Sequence, residues 1–256
     1  MSAVNGCVAF ITGAASGLGK ATLKHLLTKG ARGVYCFDTQ AFPEELEQKD
    51  NFASFRGDVR NEENVSTALE QCYQKFGKID TVVNCAGVSV AFRLFNFKKN
   101  RAHDLKDFAD VFQVNCLGTF NVNRLAAGYL YKNTPDEANG LRGLIINTSG
   151  NAAFDGQIGQ SAYAAAAGAI NSMTLPLARD LGVVGIRCLT ISCGYFRTPL
   201  LAHLPKNILD FLENSTLCPK RLGEPGDYAR LVEAIMDNEY LNATIIKLDG
   251  GMRMFV

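Results

Sequence analysis

Apolar and polar residues along this chain fall into blocks whose period switches in a regular order. Short, almost continuously apolar runs occur at Val8–Thr12, Val34–Asp38, Ala53–Arg56, Thr81–Asn84, Leu144–Thr148, Arg187–Ser192 and Ile245–Leu248. Runs of that length, lacking an alternating polar face, predict strands covered on both sides. Between them lie stretches with helical spacing. Leu18–Lys29 stops at Gly30, and a helix that Asn61 can cap runs to Phe76 and stops at Gly77. Leu105–Tyr131 reads as one long helix with a break near Gly118, followed by Ala162–Leu181 and Asp227–Asp237. The strand–helix alternation predicts an α/β fold: a parallel sheet with helices on both faces. No linker-like segment or internal repeat divides the chain, so residues 1–256 read as a single domain.

Two stretches break the rhythm. Val90–His103 ends in Lys98, Lys99 and Arg101, and Phe196–Arg221, within residues 194–224, carries Pro199, Pro205 and Pro219. Loops beyond strand C-termini build the ligand site of an open α/β sheet, so both are candidate walls of a substrate pocket.

Composition narrows the picture by exclusion. The 256 residues include 26 Lys+Arg against 25 Asp+Glu, a net charge of +1, which gives no field for direct nucleic-acid or membrane binding. No apolar run is long enough for a membrane span, and no secretory or transit presequence is recognisable. The eight cysteines form no C-x-x-C pair and read as reduced, buried, small apolar residues. The expectation is an intracellular protein in the cytoplasm.

The chemistry begins at Thr12-Gly13-Ala14-Ala15-Ser16-Gly17-Leu18-Gly19, between the first strand and first helix. Glycines there allow a tight turn and close backbone approach to a pyrophosphate seated on the helix N-terminus. Asp38 closes the next strand, where a carboxylate accepts from adenosine ribose hydroxyls and repels a 2′-phosphate. No Arg immediately follows it, so the predicted cofactor is NAD rather than NADP.

The spacing from Thr12 to Gly19, the pair Asp58-Val59, the run Asn84-Cys85-Ala86-Gly87 and Asn115 together resemble the short-chain dehydrogenase/reductase family. The resemblance covers the whole chain. Several stretches, among them Val83–Gly87, Arg142–Thr148, Ala152–Gln160 and Arg221–Glu224, are similar to the family's 3-hydroxyacyl-CoA dehydrogenase type 2, or 17β-hydroxysteroid dehydrogenase type 10, group. The resemblance implies a Rossmann-type, doubly wound, seven-stranded parallel sheet, bound NAD and a homotetramer. It assigns Gly13, Ser16, Gly17, Leu18, Gly19, Asp38, Asp58, Val59, Ala86, Gly87 and Thr198 to the cofactor site. In that assignment Ser16 and Leu18 meet pyrophosphate or nicotinamide ribose, Asp58 and the Val59 amide meet adenine, and Thr198 holds the carboxamide. It also makes a mitochondrial location the alternative to the cytoplasm. The long helices and the apolar tail Met252–Val256 are the expected subunit contacts.

The family's catalytic pattern is incomplete. It calls for Asn, Ser, Tyr and a Lys four residues after the Tyr. The resemblance places the Tyr and Asn at Tyr163 and Asn115, but Gly150 stands at the serine position and Ala167 at the lysine position. Positions 163 and 167 share a helix face, and the next cation on that helix is Arg179. Ser149 and Asn151 flank Gly150 and should point to the wrong faces of an extended segment. Cys193, where the family typically has Pro, reads as a small residue tolerated in the turn.

Without a neighbouring cation, a tyrosine of pKa about 10 is ionised in roughly one molecule in a thousand at neutral pH. Alcohol oxidation needs that phenolate as base, whereas a neutral Tyr163 still donates to a carbonyl oxygen. The reading is therefore an NAD(H)-binding protein with a degraded tetrad, turned to weak or non-redox chemistry on a small molecule bearing a carbonyl or hydroxyl group. The alternatives are a non-catalytic scaffold and a hydroxyacyl-CoA or hydroxysteroid dehydrogenase with a rebuilt site.

Overall fold

The computed structural model describes residues 2–202 and 204–253. Its elements run β1 (Val8–Thr12), α1 (Gly17–Thr28), β2 (Gly33–Asp38), a short α2 (Glu44–Glu47), β3 (Phe52–Arg56), α3 (Glu62–Phe76) and β4 (Thr81–Asn84). A small hairpin follows, β5 (Phe95–Asn96) and β6 (Arg101–Ala102), then α4 (Leu105–Phe112) and α5 (Thr119–Tyr131). The second half contributes β7 (Gly143–Gly150), α6 (Ser161–Gly182), β8 (Ile186–Cys193), α7 (Lys206–Asn214), α8 (Pro225–Asp237) and β9 (Ile245–Leu248).

Seven strands pair in the order β3-β2-β1-β4-β7-β8-β9, every pair parallel. The alternation of side chains along β1 explains how one strand serves two cores. Ala9 and Ile11 face α1 and α8, in a core with Leu23, Leu26, Tyr228 and Val232. Val8 and Phe10 face the other way, toward Val65 and Leu69 of α3 and Val122 and Leu130 of α5. Phe10 stacks on Tyr35 with centroids 5.7 Å apart. Burying a side chain of that size contributes about 2 kcal/mol.

Local signals place the helix ends. Asn61 caps α3 through its side chain, which accepts from the Asn64 amide at 3.0 Å. Gly77 ends it at φ +77, a conformation that favours glycine. The predicted Leu105–Tyr131 helix is α4 and α5 joined by a π-helical stretch, Gln113–Gly118, so the chain continues helically where a break was expected. Gly118 is needed there because a Cβ would lie 2.5 Å from Val59 Cγ2.

Of the eight cysteines, six are buried, Cys85 is half-buried and Cys218 is exposed. The expectation of burial fails at Cys218 because it lies in the Pro-bounded loop after α7 rather than in an apolar strand. No helix among the described residues is long and apolar enough to cross a membrane.

Candidate active site

The strand order reverses between β1 and β4, and the loops leaving the two strands there open a crevice. Gly13 sits in the turn after β1 at φ +64 and donates its amide to the Phe37 carbonyl at 2.9 Å. A Cβ on Gly13 would lie 2.6 Å from the Ala86 nitrogen, and one on Gly19 would lie 2.3 Å from the Gly13 oxygen. The turn is thus packed backbone to backbone against the loop after β4. Thr12 reinforces it: its Oγ1 accepts from the Cys85 and Ala86 amides at 3.2 and 3.3 Å. The first turn of α1 carries no acidic residue, and Ser16 leaves its cap amides without a side-chain partner. Those free N–H groups, with the helix dipole, suit an anion.

A cavity of about 720 Å³ runs from this turn along the strand ends. Its walls include Gly13, Ser16, Gly17, Leu18, Asp38, Asp58, Val59, Ala86, Gly87 and Thr198. Gly19 is absent from the wall and lies beneath it, against Gly13. The Asp38 carboxylate accepts from the Ala15 amide at 3.0 Å and the Gln40 amide at 3.0 Å, which fixes it beside the turn. Arg56, paired with Asp38 in the β2–β3 register, donates instead to the Thr39 carbonyl. Asp58 forms a forked pair with Arg60 at 2.6 Å, and those hydrogen bonds hold its carboxyl below the usual range. Asn121 fixes Val59 through its carbonyl at 2.9 Å. Close-packed glycines, an open helix terminus and a fixed carboxylate fit a dinucleotide.

The same cavity reaches Asn115, Gly150, Tyr163, Ala167 and Cys193. Asn115 lies in the π-helical stretch, a local geometry common at functional sites. Both ends of its amide are engaged by Val88: Oδ1 accepts from the amide at 2.8 Å and Nδ2 donates to the carbonyl at 2.9 Å. Tyr163 lies in the first turn of α6, and Ala167 is one turn on, buried at 3% exposure. A Cβ on Gly150 would lie 2.9 Å from the Tyr163 hydroxyl and 2.8 Å from its Cε1. The tyrosine ring therefore occupies space that a side chain at 150 would need. Among the described residues, no group hydrogen-bonds the Tyr163 hydroxyl.

Electrostatics at this end run in one direction. Burial raises the Tyr163 phenol well above its usual value, and the Cys193 and Tyr195 side chains add to the rise. Burial likewise pushes the Cys193 thiol well up and the Cys85 thiol to about 11, so both stay protonated and unreactive. Among the described residues lining the cavity, the one basic side chain is Arg60, spent on Asp58.

The flanking residues both border the cavity, but their polar groups are engaged by the protein. Ser149 donates to Asn171 at 2.6 Å. Asn151 donates to Asp249 at 2.5 Å and accepts from Ser192. Of the two irregular stretches, residues 194–224 supply a broad wall that includes Tyr195, Leu200, Leu204, Ile208 and Phe211. The other is a correction. Lys98, Lys99 and Arg101 do not line the cavity, and of Val90–His103 only Ala91 does. That stretch instead folds back on itself as the β5–β6 hairpin. Residues 254–256 of the predicted contact tail lie outside the described residues.

Sequence reasoning missed the buried trio Asn84, Asn123 and Asn147, hydrogen-bonded to one another at 2.7 to 3.0 Å beneath the loop after β4. It also missed Tyr195 and Gln157. Asn84, Asn147 and Gln157 fall within stretches that carry the resemblance, but nothing local marks their partners, which come together from distant segments.

Comparison with known proteins agrees with this geometry. The family model for short chain dehydrogenase matches residues 7–208. The 3-hydroxyacyl-CoA dehydrogenase type-2 of Bos taurus is 49% identical over 255 residues, covering 98% of this chain and 97% of the relative. A crystal structure of 3-hydroxyacyl-CoA dehydrogenase type-2 from Mycobacterium avium superimposes with a TM-score of 0.89 at 33% identity, covering 98% of this chain and 97% of that one. A 3-ketoacyl-(acyl-carrier-protein) reductase from Brucella melitensis, complexed with NADH, gives a TM-score of 0.81 at 26% identity, covering 97% and 98%.

Proposed function

Because the chain belongs to the short-chain dehydrogenase family, we propose that it binds NAD(H) and works on a small hydroxyacyl- or ketoacyl-type molecule, with Tyr163 as a neutral hydrogen-bond donor and acid. The observation that carries this is the single cavity joining the glycine turn and Asp38 to Tyr163. A nicotinamide dinucleotide follows from the family. NAD in particular is favoured by the Asp38 carboxylate, which disfavours a 2′-phosphate, and by Arg56 being turned to a backbone carbonyl. Gly13, Ser16, Gly17 and Leu18 would hold the pyrophosphate, with Gly19 supporting the turn from beneath, Asp58 and Val59 the adenine, and Ala86, Gly87 and Thr198 the nicotinamide side.

Bound there, the nicotinamide supplies or takes up hydride. The chain's own part is the proton. Tyr163, protonated across the physiological range, would hydrogen-bond the substrate oxygen and give it a proton as a carbonyl is reduced, regaining one from solvent before the next turnover. The reverse direction asks Tyr163 to be a phenolate, and nothing at this end of the cavity favours that charge. Residues 194–224 would close over the substrate, whose apolar part meets Leu200, Leu204, Ile208 and Phe211. The names of the relatives favour a still-working hydroxyacyl dehydrogenase, and the buried, protonated Tyr163 would make the oxidation rate the strongly pH-dependent one. A homotetramer is supported by exposed apolar residues on the long helices, Leu117, Phe120 and Leu175.

The test is an NADH titration followed by turnover on a 3-ketoacyl thioester, the matching hydroxyacyl thioester and a hydroxysteroid. Binding with measurable reduction is expected. Binding without turnover on any of them moves the chain to altered chemistry or a scaffold role, and failure to bind NADH removes the reading altogether.

A further inference from the structure

The polar side chains around Tyr163 are almost all committed to the protein. Ser149 is taken by Asn171, Asn151 by Asp249 and Ser192, Asn115 by Val88, and Thr148 by Tyr228 at 2.7 Å. Gln157 is different. Its Oε1 accepts from the Tyr195 hydroxyl, and both residues line the cavity. An amide whose oxygen is fixed must present its nitrogen on the other side. Among the described residues, no group accepts from the Gln157 Nε2.

Tyr195 is itself anchored. Its carbonyl accepts from the Gly223 amide at 2.9 Å, and Arg197 donates back to the Gly223 carbonyl at 2.8 Å. It follows β8 by two residues, and Cys193, the last residue of β8, is the register partner of Gly150. The Tyr195–Gln157 pair is therefore held at the end of the cavity where position 150 offers no hydroxyl.

We propose that Tyr195 is a positioning residue that locks the Gln157 amide so that its Nε2 donates to the substrate oxygen beside Tyr163, in the role that position 150 cannot fill. The inference rests on the reading that a carbonyl compound binds in this cavity. A carbonyl oxygen has two lone pairs, and two donors, the Tyr163 hydroxyl and the Gln157 amide, fix it in position. Gln160, held by Ser89 only at 3.5 Å, is less well fixed for the task.

The experiment measures the affinity of protein saturated with the oxidised cofactor NAD+, which cannot reduce the ligand, for acetoacetyl-pantetheine and for a plain methyl ketone, by calorimetry. NADH affinity and thermal melting are the controls. Tyr195→Phe should weaken both carbonyl ligands about fivefold to tenfold, the value of one neutral hydrogen bond, with NADH affinity unchanged. Gln157→Glu keeps an acceptor for Tyr195 but removes the donor, so it should weaken them at least as much. A merely structural pair would tolerate Gln157→Glu and show its loss in melting instead. If both variants bind the ketones like the parent, or if only Gln160→Leu weakens them, the proposal is overturned while the cofactor reading stands. If the parent binds NADH but neither ketone, the proposal and the substrate class fall together.

Discussion

The two ends of the cavity are built by opposite means. At the dinucleotide end the backbone does the work: glycines without room for a Cβ, a free helix terminus, and carboxylates fixed by amide donors or by Arg60. At the Tyr163 end there is little but side chains, and Gly150 and Ala167, at the positions the resemblance gives to Ser and Lys, offer only hydrogen and methyl. Backbone sites resist drift because most substitutions clash. A side-chain site can lose its groups without disturbing the fold, since Ala167 packs in the core of α6 as readily as any small residue. The contrast predicts that substitutions at the two ends separate cofactor binding from turnover.

The largest effect that would break the contrast is at Gly19. A Cβ there meets the Gly13 carbonyl at 2.3 Å, so Gly19→Val should weaken NADH by on the order of 100-fold or more in a fluorescence titration. Retained binding would mean that the turn is not the cradle.

At the other end, Gly150→Ser with Ala167→Lys should speed reduction of a ketoacyl thioester by about 10²–10⁴-fold. Ala167→Lys alone should do more than Gly150→Ser alone, because the serine Cβ first has to displace the Tyr163 ring from 2.9 Å. Steady-state rates decide, and a double variant no faster than the parent shows that the parent site is already competent.

The pH profile sharpens the same point. Tyr163 has a raised pKa, so its base form is scarce throughout the neutral range. Alcohol oxidation should climb about tenfold per pH unit up to at least pH ~10 without a plateau, while carbonyl reduction stays nearly level from about pH 6 to 9. Adding Ala167→Lys should bring the oxidation plateau down. A plateau near neutrality in the parent would place the base elsewhere.

The smallest expected change is in cofactor choice. Asp38→Ala should weaken NADH about tenfold, the loss of hydrogen bonds to a charged acceptor, and improve NADPH relative to it. Equal loss of both would show that Asp38 serves the turn through Ala15 rather than the ribose.

Much of this was legible in the sequence because it depends on local periodicity and on residues close together in the chain. The strand runs, the Asn61 cap, the Gly77 stop and the turn from Gly13 to Gly19 are of that kind. The orientation of Asn151 was not legible, because the strand ends at Gly150 and a 3-10 turn begins at Asn151, so strand alternation does not reach it. Val90–His103 misled because it follows a strand C-terminus, where ligand-site loops lie, whereas Lys98 to Arg101 fold into a hairpin that does not line the cavity.

The sequence alone determined the α/β fold, the glycine turn from Gly13 to Gly19 and the presence of Gly and Ala at positions 150 and 167, since each is a matter of residue identity at a fixed local spacing. Tertiary structure decided what fills the gaps: the Tyr163 ring against Gly150, the amide of Asn115 closed on Val88, and Tyr195 holding Gln157. Those contacts join segments far apart in the chain, and only the packing of two cores on one sheet sets their distances.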